Sequence, residues 1–177
     1  MSVLGVPASA QDHVAGNLAA PVVLVEYGDY QCAACGEAFS LVKRLQQRFG
    51  SSLCVVFRHF PLQLSHPQAW AAAVTAEYAG TYGRFWQAHD ALYSAQPQLG
   101  EEFYRQLTRE LGLSEEGLVA AQEDPAYRQR IQADIDSGMR SGVTGTPSFF
   151  INDRAFLPRQ HLEELYEAIL AVGGKTL

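Results

Sequence analysis

Cys32 and Cys35 are separated only by Ala33 and Ala34 in the stretch VEYGDYQCAACGEAF, residues 25–39. Such a pair can ligate a metal, close a structural disulfide, or carry two electrons. A structural zinc takes four ligands, usually with a second Cys or His pair at short spacing. The histidines are His13, His59, His66, His89 and His161, and no two of them are spaced that way. The third cysteine, Cys54, lies in an apolar run and reads as a small core residue. A permanent disulfide between Cys32 and Cys35 would close a very short loop and add little stability. No metal is therefore expected, and electron transfer is the favoured reading.

The elements around the pair bear on that reading. PVVLVEYG, residues 21–28, has four consecutive apolar positions and reads as a buried strand of a parallel sheet. Phe39, Val42, Leu45 and Phe49 then recur at helical spacing, and Gly50 ends that helix. LCVVFRHF, residues 53–60, is a second strand, which completes a right-handed βαβ unit. Cys32 thus falls between the C-terminal edge of a parallel strand and the start of a helix. Ligands meet α/β sheets at that edge. A helix N-terminus presents unpaired N–H groups and a partial positive charge, which stabilise a thiolate. A thiolate there attacks a disulfide, and a second thiol one turn later resolves the mixed disulfide.

From residue 66 to about residue 140 helical periods dominate, giving four or five helices. They run through Trp70, Val74 and Tyr78, then Phe85, Ala88 and Leu92, then Phe103, Leu107 and Leu111. Asp124 reads as an N-cap with Pro125 at the first helical position, and Tyr127, Ile131, Ile135 and Met139 repeat on one face. β character returns at PSFFIN, residues 147–152. Asn152 and Asp153 form a turn, RAFL pairs back as a hairpin, and a last helix carries Leu162, Leu165, Ile169 and Leu170. The order βαβ, helical block, ββα is that of an α/β domain, residues 1–64 and 142–177, interrupted by a helical insertion at 65–141.

Three segments carry a family resemblance: YGDYQCAAC, FRHFPL at 57–62, and GVTGTPSFFIN at 142–152. On them the chain resembles the DsbA-like thiol–disulfide oxidoreductases, which have a thioredoxin-like fold with a helical insertion. The likeness covers nearly all of the chain after about residue 20. It implies that Cys32 is the exposed attacking cysteine and Cys35 the buried resolving one, cycling between a dithiol and a Cys32–Cys35 disulfide. It implies that Pro147 is a cis-proline facing them, and that Thr146 offers backbone groups to an extended substrate. Glu26 matches a buried acid that assists proton transfer at the second cysteine; burial would raise its pKa toward working pH. The plainer reading is a strand-end glutamate that reaches solvent. No metal or organic cofactor is implied. The expected partners are a protein or small-molecule thiol or disulfide and a redox-recycling partner that the sequence does not identify. Relatives usually carry proline, histidine or an aromatic residue between the cysteines. Ala33 and Ala34 support no thiolate, so a weaker oxidant than the strongest members is expected.

The totals bound the alternatives. A length of 177 residues, 47% hydrophobic and 18% charged, suits one globular domain with an insertion. A net charge of −6 without a basic run argues against a nucleic-acid surface. No apolar run approaches the ~18 residues of a membrane span, so no membrane partner is expected. MSVLGVPASAQD lacks a signal-peptide pattern, which points to the cytoplasm if the chain is complete and to the periplasm or secretion if a leader was removed. Among weaker candidates, Asp29 and Tyr30 are expected at the site rim, Glu37 as a solvated helix residue, and Arg58 as a surface charge. His59 and His66 read as hydrogen-bonded structural residues, and Trp70 and Trp86 as core. Two other functions compete. A glutathione-linked transferase or isomerase commonly has serine for the attacking cysteine, and a non-redox binding module would be expected to lose the cysteine pair or the proline.

Overall fold

The computed structural model is described for residues 2–157, 161–173, 175 and 176. Five strands form one sheet in the order β1-β3-β2-β4-β5. They are β1 His13–Ala15, β2 Val22–Gly28, β3 Leu53–His59, β4 Ser148–Ile151 and β5 Arg154–Phe156. β2 and β3 are parallel, in register from Val22 opposite Leu53 to Gly28 opposite His59. β1 on β3, β4 on β2, and β5 on β4 are antiparallel. Helix α1, Ala33–Phe49, joins β2 to β3, as the βαβ reading requires. Between β3 and β4 run α2 Ala69–Thr81, α3 Phe85–Ser94, α4 Glu101–Glu110, α5 Glu115–Glu123 and α6 Pro125–Arg140; α7, Glu164–Ala171, follows the hairpin. The chain has the mixed α/β, thioredoxin-like architecture expected from its sequence.

The apolar run of β2 reflects cover on both faces of the sheet. Val22 and Leu24 pack with Ala38, Leu41, Leu45 and Phe49 of α1 and with Leu165 and Ile169 of α7. Val25 and Tyr27 point the other way, into a cluster with Phe60, Val143 and Phe150. Side chains alternate along a strand, so Glu26 shares the α1 face with Leu24. That parity sends a carboxyl group toward the first turn of α1.

Local signals act where the sequence places them. Gly50 ends α1 at a φ of +49°, with its N–H donated to the Gln46 carbonyl. Asp124 caps α6 by accepting the Ala126 N–H, with Pro125 beginning the helix. Asn152 and Asp153 both adopt positive φ at the hairpin turn. One expected face is not continuous. Ile131 is fully buried, yet Met139 is exposed. Each four-residue step overshoots a full turn by about 40°, so the two steps from Ile131 rotate the stripe by about 80° and carry Met139 out of the core.

Two features depart from expectation. β1 carries no sequence signal: it is three residues long and begins with histidine. Its place comes from pairing His13, Val14 and Ala15 against Phe57, Val56 and Val55 of β3. Arg58, expected as a surface charge, is only 2% exposed. Its Nε and Nη2 donate to the two carboxylate oxygens of Asp12 at 2.8 and 3.0 Å. Nη1 reaches the Val6 carbonyl and Tyr27 Oη, and Nη2 also reaches the Pro7 carbonyl. Burial opposes the charge, but Asp12 and Tyr27 outweigh it, so Arg58 stays a cation. The guanidinium therefore fastens the N-terminal segment across the sheet. Asp12→Ala leaves this charge buried without its counter-ion. It is expected to cost about 3–5 kcal/mol in urea unfolding, and a loss below about 1 kcal/mol would show that the clasp does not hold the segment.

Candidate active site

Cys32 is the N-cap of α1, in extended backbone at φ −71° and ψ 121°. Cys35 lies in the first turn. Its thiol donates a hydrogen bond to the Cys32 sulfur, the strongest influence on Cys32. Burial opposes that influence; the Thr146 hydroxyl and the Cys35 backbone N–H reinforce it, and the Cys32 thiol is lowered to about 5. Cys35 moves the opposite way. Burial, its own donation to Cys32, and the charge of Glu26 push it far above the ordinary thiol range. Two identical groups therefore become one ready thiolate and one locked thiol.

Thr146 and Pro147 sit over the pair. Cys32 Sγ lies 3.5 Å from the Thr146 carbonyl oxygen. The Thr146–Pro147 peptide bond is cis. Thr146 Oγ1 is buried with no hydrogen-bond partner, and its presence favours the thiolate form of both cysteines. Cys32 is more covered than the word exposed implies: 8% of its surface is accessible, against none for Cys35.

Glu26 does not reach solvent. It is buried on the α1 face of β2, and its Oε1 has no hydrogen-bond partner. Burial raises its pKa to about 8. The apolar walls around it include Phe39, Val42, Val55 and Phe57.

The loop between β2 and α1 is held from two sides. Asp29 and Tyr30, expected at a rim, are both buried. Asp29 Oδ1 accepts the Gln31 N–H, while Oδ2 accepts the Leu62 N–H and faces His66 Nδ1, each at 2.8 Å. Asp29 turns inward because its carboxylate satisfies N–H groups of its own loop and of the loop after β3. Tyr30 Oη meets His89 Nδ1 at 3.0 Å. From the helical side, Gln96 Nε2 donates to the carbonyls of both Tyr30 and Cys32 at 2.8 Å. Gln96 crosses directly over Gly36, where any Cβ would lie 2.2 Å from Gln96 Oε1. Neither residue stood out in the sequence, because no spacing links a short QPQ turn to the CxxC stretch.

The remaining candidates are structural or solvated. Glu37 is exposed, and Cys54 is buried in the core. Trp86 donates to the Val14 carbonyl at 3.2 Å, and Trp70 lies under the Arg128 guanidinium. His59, together with His13, meets Glu77, a convergence that sequence spacing does not reveal. No helix among the described residues is long and apolar enough to cross a membrane.

The family model described as thioredoxin matches residues 8–171. Among curated relatives, the Na(+)/H(+) antiporter NhaA 1 of Salinispora arenicola is 38% identical over 166 residues, covering 94% of this chain and 25% of that protein. The chain thus spans about a quarter of the curated relatives it matches. Among solved structures, oxidised BdbD from Bacillus subtilis superposes with a TM-score of 0.84 at 22% identity, covering 97% of both chains. A thioredoxin-like oxidoreductase from Silicibacter pomeroyi gives 0.79 at 26% identity over 92% of each. The thiol–disulfide exchange protein α-DsbA2 from Wolbachia pipientis gives 0.78 at 21% identity, over 93% of this chain and 88% of that one. The chain belongs to the thioredoxin family and has the fold of its DsbA-like thiol–disulfide oxidoreductases.

Proposed function

We propose that this chain catalyses thiol–disulfide exchange through Cys32 and Cys35, on a protein or small-molecule substrate. The observation that carries this reading is the opposed state of the two thiols: Cys32 lowered to about 5, Cys35 held protonated beside Glu26. In the reducing direction the Cys32 thiolate attacks one sulfur of a substrate disulfide, and the other substrate sulfur leaves as a thiolate. Once Cys32 is consumed, Cys35 no longer donates to an anion. Glu26, with a pKa of about 8, takes the Cys35 proton, and the new thiolate displaces the substrate from Cys32 as the Cys32–Cys35 disulfide closes. In the oxidising direction the same acid returns a proton to the departing Cys35. An extended substrate would lie along the Thr146 backbone, beside Pro147, in reach of Cys32. No metal or organic cofactor enters these steps. The direction of net flow is set by a recycling partner.

The antiporter relatives lend no transport activity to this reading, since the match covers only a quarter of each. A glutathione-linked transferase is disfavoured by the second thiol, which that chemistry does not use.

Reduced parent protein should accelerate insulin reduction by dithiothreitol, and Cys32→Ser should abolish the acceleration. Cys35→Ser should instead accumulate a mixed disulfide. Equal activity in parent and Cys32→Ser, or turnover of small electrophiles with glutathione alone, would overturn the proposal.

Alkylation of Cys32 should rise through a midpoint near pH 5 and be flat by pH 7, whereas an ordinary thiol would still be gaining reactivity. Cys35→Ala removes the largest stabilising contact and should move that midpoint upward. A pKa near 5 lies between the extremes of about 3.5 and about 7 known for this chemistry. The reduction potential, measured by equilibration with glutathione, is accordingly expected between about −120 and about −270 mV.

Glu26 binds its proton more tightly folded than unfolded, so its contribution to stability is complete below about pH 4.5 and is lost as pH rises through about 8. The stability difference between reduced Glu26→Gln and reduced parent should therefore grow in favour of the variant across that window, by on the order of a few kcal/mol. Taking the difference cancels the opposite titration of Cys32. A difference independent of pH would show that Glu26 is not held protonated.

A further inference from the structure

We infer that His13, His59 and Glu77 form a binding site for one zinc-class divalent ion, separate from the cysteine pair. His13 Nε2 and His59 Nε2 converge on a single carboxylate oxygen, Glu77 Oε1, at 2.5 and 2.8 Å. The three ligand atoms all lie within 4.8 Å of one another. They come from three elements: the edge strand β1, the end of β3, and α2. Sequence spacing could not reveal them, since only the pairing of β1 with β3 brings His13 beside His59.

The charges point to a cation. Glu77 is buried, and its Oε1 takes the contacts of both histidines. Arg58 pairs with Asp12, and Arg130 pairs through Nη1 with Asp134 while its Nη2 is buried without a partner. Arg130 feels Glu77 at longer range but makes no hydrogen bond to it. A neutral imidazole adds no charge. A buried carboxylate faced only by imidazoles is costly, and a bound dication removes that cost.

The donor set selects the ion. Two imidazole nitrogens with one carboxylate oxygen suit zinc or a similar transition metal in a tetrahedral site, with a fourth position open to water. Calcium and magnesium prefer oxygen alone. Ligands about 2.1 Å from a tetrahedral zinc stand about 3.4 Å apart, so the contacts must open by several tenths of an ångström. β1 is an edge strand of three residues. It also provides the entry path, since the His13 side chain is 17% exposed while His59 and Glu77 are buried. Stacking of the His13 ring on Phe85, with centroids 3.4 Å apart and planes within 1° of parallel, fixes its plane. The bound ion would join the sheet edge to the helical block and would take no part in the exchange reaction.

The test uses oxidised protein, with the Cys32–Cys35 disulfide closed so that those thiols cannot ligate. Cobalt(II) should bind one-to-one with visible d–d absorption and no thiolate charge-transfer band. Zinc should displace it, raise the unfolding temperature, and shift the ring nitrogen resonances of His13 and His59 but not of His66. His13→Gln, which retains a hydrogen-bond donor toward Glu77, should fold and bind at least about tenfold more weakly. The inference fails if oxidised protein shows no saturable binding. It fails equally if metal binds only when the cysteines are reduced, if the histidine resonances do not move, or if folded His13→Gln binds as the parent does.

Discussion

One hydrogen bond, from the Cys35 thiol to the Cys32 sulfur, divides the labour of the site. It has the largest effect on Cys32 and contributes, after burial, to holding Cys35 protonated. The bond exists only because the sulfurs straddle the start of a helix. Cys32 is the cap, in extended conformation, and Cys35 is turned back toward it by the first turn. A shift of one residue in the start of α1 would separate the sulfurs and remove the effect of that bond on each of them. Much of the surrounding structure therefore serves to fix that start.

The fixing is shared between the two halves of the chain. From the sheet side, the Asp29 carboxylate ties the loop before Cys32 to the loop after β3 through the Leu62 N–H and His66. From the helical side, Gln96 accepts no rival partner for its amide donors: both carbonyls it binds belong to the active-site loop. Gly36 is required for that approach, because a side chain there would displace Gln96. The helical block thus helps set the geometry of the cysteine turn, in addition to covering the sheet.

What was legible in the sequence follows from the range of the forces involved. β2, α1 and β3 are written in local periodicity, because each buries a stripe its own residues define. Gly50 and Asp124 act on their immediate neighbours and were equally readable. Arg58 was not: its burial depends on Asp12 and on the carbonyls of Val6 and Pro7, in a segment with no periodic signal. β1 and Gln96 are likewise positioned by partners distant in the chain. Met139 was misplaced for a different reason, the slow rotation of a four-residue repeat about a helix of 3.6 residues per turn.

Glu26 shows how the site's chemistry is set against the stability of the fold. A carboxyl group on a strand covered on both faces, with one oxygen lacking a partner, is an expense that an alanine or leucine would avoid. The sheet supplies no cation to offset it: the position opposite on β3 is Phe57, and on β4 it is Phe149. With no compensating charge, burial alone governs the group and raises it to about 8. An ion pair would have held it ionised and low, able to accept a proton only weakly. The unpaired, apolar setting is what brings its pKa within about one unit of neutral pH, where the ionised minority can take a proton from Cys35 and the protonated majority can return one.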